Sequence, residues 1–166
     1  MQAILDLAEF QNIKLVITNK KRTYGELKAK RFGIKVLWMD KTTSFADVDQ
    51  VLKNLKIQKI FLAGFMKIIP ADFINSWTNH IFNIHPSLLP DFKGLQAFER
   101  AFEQKAKLGA SIHHVVSEMD AGEIVLQQQI CVNTSDINEA QFFLRLSEQN
   151  LIREFVYKGA GLCTRF

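Results

Sequence analysis

Short apolar runs rich in β-branched residues alternate with longer amphipathic stretches along most of the chain. The short runs predict strands and the amphipathic windows predict helices. Predicted strands cover 13–19, 34–39, 59–64, 80–85, 110–119 and 123–132. Predicted helices cover 1–10, 23–33, 44–56, 70–77, 95–107 and 136–158. Strand–helix alternation followed by a hairpin-like pair of strands predicts an α/β fold, with an open, mostly parallel sheet flanked by helices.

Local signals sharpen parts of this pattern. Ser44 is a suitable N-cap for the helix that follows it, and Pro70 suits a helix start. Gly33 and Gly159 stand where helical patterns end. The run 59–64 is continuously apolar after Lys59, which predicts a strand buried on both faces.

Length and composition indicate an ordinary globular protein. The 166 residues predict a single domain over 1–166, with 48% hydrophobic and 23% charged residues. No apolar run is long enough to span a bilayer and no signal peptide opens the chain, so no membrane partner is expected. Cys131 and Cys163 lack metal-site or redox-motif spacing, which favours a reduced, cytoplasmic protein.

The charge is modestly positive, at +4. Lys20, Lys21 and Arg22 form a basic cluster that fits a solvated turn, with steering of an anionic ligand as the alternative. The phenylalanines lie among aliphatic residues, not interleaved with lysine and arginine. Nucleic-acid binding is therefore not expected.

One stretch carries polar groups into the predicted sheet: "IFNIHPSLLPDFKG", residues 81–94. Asn83 and His85 are two apart on a strand, so their side chains project from the same face. Ligands of open α/β sheets bind at the carboxyl ends of the strands, where Gly64 also falls. A histidine at the end of a strand is more often structural, and we expect this one to face a solvent cleft.

Asp120 adds a carboxylate on the tight turn "DAG" and reaches the same place if its flanking strands pack alongside. An amide and a protonated imidazole can stabilise the oxyanion of an attacked carbonyl, and a carboxylate can move the amine's proton through water. No activated nucleophile stands in the motif, which favours direct transfer. Adjacent His113 and His114 point to opposite faces of a strand, so no metal site is predicted.

These residues resemble a known family. "NIHPSLLPDFKG" and "GASIHHVVSEMDAGEIV" are similar to motifs of the folate-dependent formyltransferases. With "LAGFMKII", residues 62–69, the resemblance narrows to the branch that formylates glycinamide ribonucleotide in purine biosynthesis. It covers about residues 2–157 and implies a Rossmann-like formyltransferase fold. It also implies two small-molecule substrates, 10-formyltetrahydrofolate and glycinamide ribonucleotide, no metal, and a monomer or homodimer.

The resemblance also implies residue roles. Asn83, His85 and Asp120 match the catalytic residues. The folate site matches Met66, Lys67, Ile68, Ile69, Asn83, Val116, Ser117, Glu118, Met119 and Asp120. The nucleotide site matches Gly64, Arg145, Leu146, Ser147 and Glu148, with Glu148 as a partner of the ribose hydroxyls. From periodicity alone, Met66 and Ile68–Ile69 would be read as core residues.

The sequence departs from the family at its start. Relatives open with a strand and a Gly-rich turn that holds the nucleotide phosphate at a helix N-terminus. Here "MQAILDLAEF" matches the helix after that turn, so the first strand is expected to be missing and activity of the shortened chain to be doubtful. The alternatives are a non-catalytic folate-binding remnant, a 10-formyltetrahydrofolate hydrolase, or a formyltransferase for another amine.

Overall fold

The computed structural model describes residues 13–159. The predicted helix at 1–10, Cys163 and the tail from residue 160 lie outside the described residues. The chain divides between Gln58 and Lys59 into two compact units. The single domain over 1–166 stays a prediction.

The first unit contains two parallel strands and two helices. In chain order these are β1 (Leu15–Thr18), α1 (Tyr24–Arg31), β2 (Lys35–Trp38) and α2 (Phe45–Asn54). Val16, Ala29 and Ile34 form a small buried cluster between the strand pair and α1. All four elements lie within the predicted windows.

Helix α2 begins with a complete capping box. The hydroxyl of Ser44 accepts a hydrogen bond from the Asp47 backbone N–H, and the Asp47 carboxylate accepts one from the Ser44 N–H. Two N–H groups that the helix cannot satisfy internally are thereby paired. The predicted N-cap at Ser44 is confirmed.

The second unit carries the larger sheet. Its elements are β3 (Ile60–Ala63), α3 (Ala71–Ser76), β4 (Ile81–His85), α4 (Ala97–Glu103), β5 (Leu108–His114), β6 (Ile124–Ile130) and α5 (Ile137–Gly159). The sheet order is β3-β4-β5-β6. β3 and β4 are parallel, and β5 is antiparallel to both β4 and β6. Three of the four strands therefore run in one direction, and the hairpin-like pair β5–β6 is confirmed.

The core of this unit lies around β4 and β5. Ile81 and Ile112 are almost completely buried there, and Leu151 of α5 is buried on the helix that packs against β5 and β6. The prediction that the strand at 59–64 is buried on both faces is wrong. β3 is an edge strand of its sheet; Ile60–Leu62 are only half-buried and Ala63 is exposed.

Among the described helices, none is both long enough and apolar enough to cross a membrane.

Candidate active site

Strand β4 places two polar side chains at the end of the sheet's most buried strand. All of its residues are buried except Asn83, which is half-buried between Phe82 and Ile84. His85, at the last position, is 5% exposed. The expectation that it faces a solvent cleft is therefore wrong, because the chain after Pro86 folds back over the ring.

The His85 ring is held from two sides. Its Nε2 lies 3.0 Å from the backbone oxygen of Phe92, and a carbonyl can only accept, so Nε2 carries a proton. Its Nδ1 lies 3.4 Å from Oδ2 of Asp120. A proton taken up at Nδ1 would therefore be shared with a carboxylate.

A second imidazole, His113, joins the first. Residue 113 of β5 pairs with Asn83 of β4 in the antiparallel register, so their side chains share one face. The Asn83 amide donates to His113 Nε2 at 3.2 Å, and His113 Nδ1 donates to the His114 carbonyl at 2.8 Å. The His85 and His113 rings meet edge to face, with centroids 6.4 Å apart.

His113 is held neutral. Burial is the main cause that lowers its pKa, and the positive forms of His85 and His114 act in the same direction. The hydrogen bond to the His114 carbonyl and the charge of Asp120 oppose this shift. A neutral imidazole with its proton on Nδ1 matches the hydrogen bond that Nε2 accepts from Asn83.

Asp120 lies between the two rings. Its Oδ1 is 3.5 Å from His113 Nε2, and its Oδ2 accepts a hydrogen bond from the Gly94 N–H at 2.9 Å. The residue has a positive φ of 49° in the turn that brings it back over the sheet. Gly122 makes this turn possible, because a Cβ there would lie 1.8 Å from the His114 oxygen.

The structure thus brings Asn83, His85 and Asp120 together, as the sequence predicted, and adds His113. Sequence reasoning considered His113 only as a metal ligand. The signal that could have found it is the alternation of side chains along a strand. If the strand that carries His113 and His114 pairs with β4, one of these two histidines must lie on the sheet face that carries Asn83. The described residues hold no cluster of three or more metal-ligating side chains.

We expect His113 to make the protein less stable in mild acid. Its folded pKa lies below the ordinary value of about 6.5, so the unfolded state binds more protons as the pH falls through that value. Stability is then lost below about pH 6.5, at up to about 1.4 kcal/mol per pH unit. Urea unfolding from pH 5 to 8 should show a shallower decline for His113→Gln.

The matched control is His80→Gln, because His80 is an exposed histidine just before β4. It should keep the wild-type pH dependence. Equal slopes for the wild type and His113→Gln would contradict the assignment of a neutral, buried His113.

The segment proposed from the family motif to hold the folate follows β3. Met66 is 73% exposed and Ile68 is 87% exposed, so packing in the core does not explain them. Gly64 stands one residue beyond the Ala63–Ile84 pair, level with His85, and has a φ of 66° that favours glycine. Open space surrounds the position of a Cβ there, so the turn geometry accounts for this glycine.

The loop before Asp120 also exposes apolar side chains. Val116 is 42% exposed and Met119 is 61% exposed, and Ser117 and Glu118 between them are exposed too. Lys93 reaches across to Glu118, with 3.5 Å between the ammonium nitrogen and Oε1. Apolar groups left uncovered beside buried polar groups are typical of a ligand site.

The residues on α5 that are predicted to bind the nucleotide differ in their exposure. Arg145 and Leu146 are exposed, whereas Ser147 is buried and its hydroxyl donates to the Gln128 side chain of β6 at 3.2 Å. Burial raises the pKa of Glu148, and the charge of Arg145 opposes this shift. None of these described contacts reaches Asn83, His85 or Asp120, so the roles of this group stay predictions.

Comparison with known proteins gives concordant matches. The profile of the formyl transferase family matches residues 1–152. The trifunctional purine biosynthetic protein adenosine-3 of Gallus gallus is 39% identical over 137 residues, which cover 78% of this chain and 14% of that protein. The chain therefore spans about a seventh of the length of that relative.

Relatives of similar size match over most of their length. The phosphoribosylglycinamide formyltransferase of Dictyostelium discoideum is 34% identical over 168 residues, covering 84% of this chain and 82% of that protein. The solved structure of the enzyme of that name from Anaplasma phagocytophilum has a TM-score of 0.87 at 32% identity, covering 93% of this chain and 78% of that one. This chain therefore belongs to the formyl transferase family, among the phosphoribosylglycinamide formyltransferases.

Proposed function

We propose that this protein transfers a formyl group from 10-formyltetrahydrofolate to the amine of glycinamide ribonucleotide, a step of purine biosynthesis. The observation that carries the proposal is the position of Asp120, within 3.4–3.5 Å of both imidazoles, one of which, His113, also binds the Asn83 amide. This arrangement provides an oxyanion donor and a proton acceptor at one place, which direct acyl transfer to an amine requires.

The first step is attack of the amine lone pair on the formyl carbon. The carbonyl electrons move to oxygen, and the resulting oxyanion needs a donor. One N–H of Asn83 binds His113 Nε2, so the second N–H of the same amide is left to donate to the oxyanion. His113 thereby fixes the orientation of the amide, and it does so as a neutral acceptor.

The second requirement is to move a proton. The attacking amine loses one, and N10 of the departing tetrahydrofolate gains one. Asp120 and Nδ1 of His85 face each other at 3.4 Å, so the pair can take up the amine's proton, directly or through water, and return it to N10. No covalent intermediate on the protein is needed.

We assign the folate to the exposed apolar segments on either side of this centre. The backbone of Met66–Ile69 would hold the pterin, and the loop from Val116 to Asp120 would close over it. Met66, Ile68, Val116 and Met119 are exposed, as expected of residues that a ring system covers on binding. This folate acts as a substrate, and the proposal includes no metal.

We assign the nucleotide to Gly64 and to Arg145–Glu148. An ionised Glu148 can accept hydrogen bonds from ribose hydroxyls, and Arg145 can attract the phosphate. Since burial raises the pKa of Glu148, its charged form is disfavoured in the free protein, and donors from a ribose would stabilise that form. A cytoplasmic location, a monomer or homodimer, and the lack of nucleic-acid or membrane partners stay part of the proposal.

Calorimetric titration and a transfer assay test this function together. The purified chain is titrated with a stable 10-formyltetrahydrofolate analogue and then with glycinamide ribonucleotide, and formylated nucleotide is measured by mass spectrometry. We expect both ligands to bind and the product to form. The matched control is Asp120→Asn, which should still bind the folate analogue.

The other outcomes separate the alternatives. Binding of the folate analogue without the nucleotide, and with no product, would overturn the proposal and indicate a folate-binding remnant. Release of formate without formylated nucleotide would indicate a hydrolase. Formylation of another amine in preference to glycinamide ribonucleotide would change the acceptor assigned here.

A further inference from the structure

We propose that Arg100 is a positioning residue for formyl transfer, acting through residues 92–95, which we call the site loop. The inference rests on the proposed function for its kinetic consequence, but its structural basis is independent of the substrates. Arg100 belongs to α4 and touches neither Asp120 nor the imidazoles in any described contact. It acts on the loop that holds them.

The site loop holds both proton-transfer residues by its backbone. The Phe92 carbonyl accepts from His85 Nε2 at 3.0 Å, and the Gly94 N–H donates to Asp120 Oδ2 at 2.9 Å. These two backbone groups therefore fix the His85 tautomer and the distance between Nδ1 and the carboxylate. A small movement of the loop would change both at once.

Arg100 connects this loop by hydrogen bonds to helix α4. Its Nη2 donates to the Lys93 carbonyl at 2.5 Å and its Nε donates to the Leu95 carbonyl at 3.1 Å. These two carbonyls flank Gly94, the residue that binds Asp120. The guanidinium also lies 5.9 Å from the centroid of the Phe92 ring, so it contacts the loop at three of its four residues.

The helix that carries Arg100 is well anchored, whereas the loop contains a residue in an unfavourable backbone conformation. Ala97, Phe98 and Ala101 of α4 are 3% exposed or less. In contrast, Phe92 has a φ of 54°, a left-handed conformation that non-glycine residues rarely adopt. Such a residue keeps its conformation only where the surroundings determine it. The guanidinium provides that support from α4, together with the buried Ser87 hydroxyl, which donates to the Asp91 carbonyl at 2.7 Å just before the loop.

The geometry requires the planar fork of arginine. Two N–H groups in fixed relative positions reach two carbonyls, whereas the ammonium of lysine is a point donor on a flexible stem. Arg100→Lys should therefore keep the positive charge but only part of the hydrogen bonding to the site loop. Arg100→Met should keep the apolar stem and remove both hydrogen bonds.

The test compares these two variants with the wild type in steady-state kinetics. We expect Arg100→Met to lower kcat at least tenfold and to change either KM less than threefold, with Arg100→Lys in between. Arg153→Met is the matched control, since Arg153 lies on α5 and, among the described residues, its hydrogen bond is to the Asn150 side chain. It should behave as the wild type.

A second measurement reads the site loop without any substrate. The Nε2 proton of His85 should be visible by NMR and assigned by its loss in His85→Gln. We expect it to exchange with water at least tenfold faster in Arg100→Met, with the thermal midpoint taken as a check that the chain is folded.

The outcomes decide between positioning and other roles. Full rescue of kcat by Arg100→Lys would overturn the inference in favour of a simple charge effect, and so would an unchanged exchange rate in a folded Arg100→Met. If the wild type transfers no formyl group, the proposed function fails. In that case the exchange measurement still tests whether Arg100 holds the site loop in place.

Discussion

Asp120→Asn is expected to lower kcat for formyl transfer by about 10²–10⁴, the range for removing a positioned general acid or base. The amide cannot accept the amine's proton, and it no longer offers a charge to His85 Nδ1 at 3.4 Å or His113 Nε2 at 3.5 Å. The Gly94 N–H keeps an acceptor, because the amide oxygen of asparagine can take the place of Oδ2.

The diagnostic feature is a split between turnover and binding. KM for the folate should change less than threefold, because the loss affects the transition state and not the bound substrate. Asp49→Asn serves as the matched control: it removes one carboxylate from a surface ion pair with Lys53 on α2. Equal losses in folate affinity and turnover for Asp120→Asn would show that the carboxylate is structural.

The order and type of the elements could be predicted because each has a local cause. Ser44 and Asp47 form a capping box within four residues, and the alternating pattern of β4 is visible in five. The burial of β3 could not be predicted, since its apolar run suits a central strand and an edge strand equally. Only the order of strands in the sheet decides between these two positions.

The candidate site likewise combines residues whose proximity follows from local sequence with residues brought together from distant parts of the chain. Asn83 and His85 share a face by strand geometry alone, so their proximity could be read from the sequence. His113 enters through a pairing of residues 30 positions apart. The register of that pairing is set across the segment between β4 and β5, residues 86–107, which includes α4. The family motif supplied Asp120, and the structure supplied its distances.

The conformation and contacts of the site loop could not be predicted, for a different reason. Phe92 adopts a left-handed conformation although its side chain disfavours it, so propensity gives no signal there. Backbone groups, which every residue has, make the two contacts to His85 and Asp120. The burial of His85 follows from this loop, which explains why a cleft was expected where a covered ring is found.

Asn83→Ala is expected to lower kcat by about 10²–10³, the usual cost of removing one oxyanion donor. The substitution should cost about 1 kcal/mol of stability, since the half-buried amide makes one described hydrogen bond, to His113 Nε2. The comparison is with Asn75→Ala, an exposed asparagine on α3, which should leave kcat unchanged.

Asn83→Asp distinguishes the loss of the hydrogen-bond donor from the loss of side-chain volume at this position. The carboxylate has nearly the same shape but only accepts hydrogen bonds, and it adds a negative charge where the oxyanion forms. We therefore expect its kcat to fall at least as far as that of Asn83→Ala, although the site is better filled. A kcat for Asn83→Asp within tenfold of the wild type would mean that the amide only supports His113. The oxyanion donor would then have to be His85, whose Nε2–H must first leave the Phe92 carbonyl.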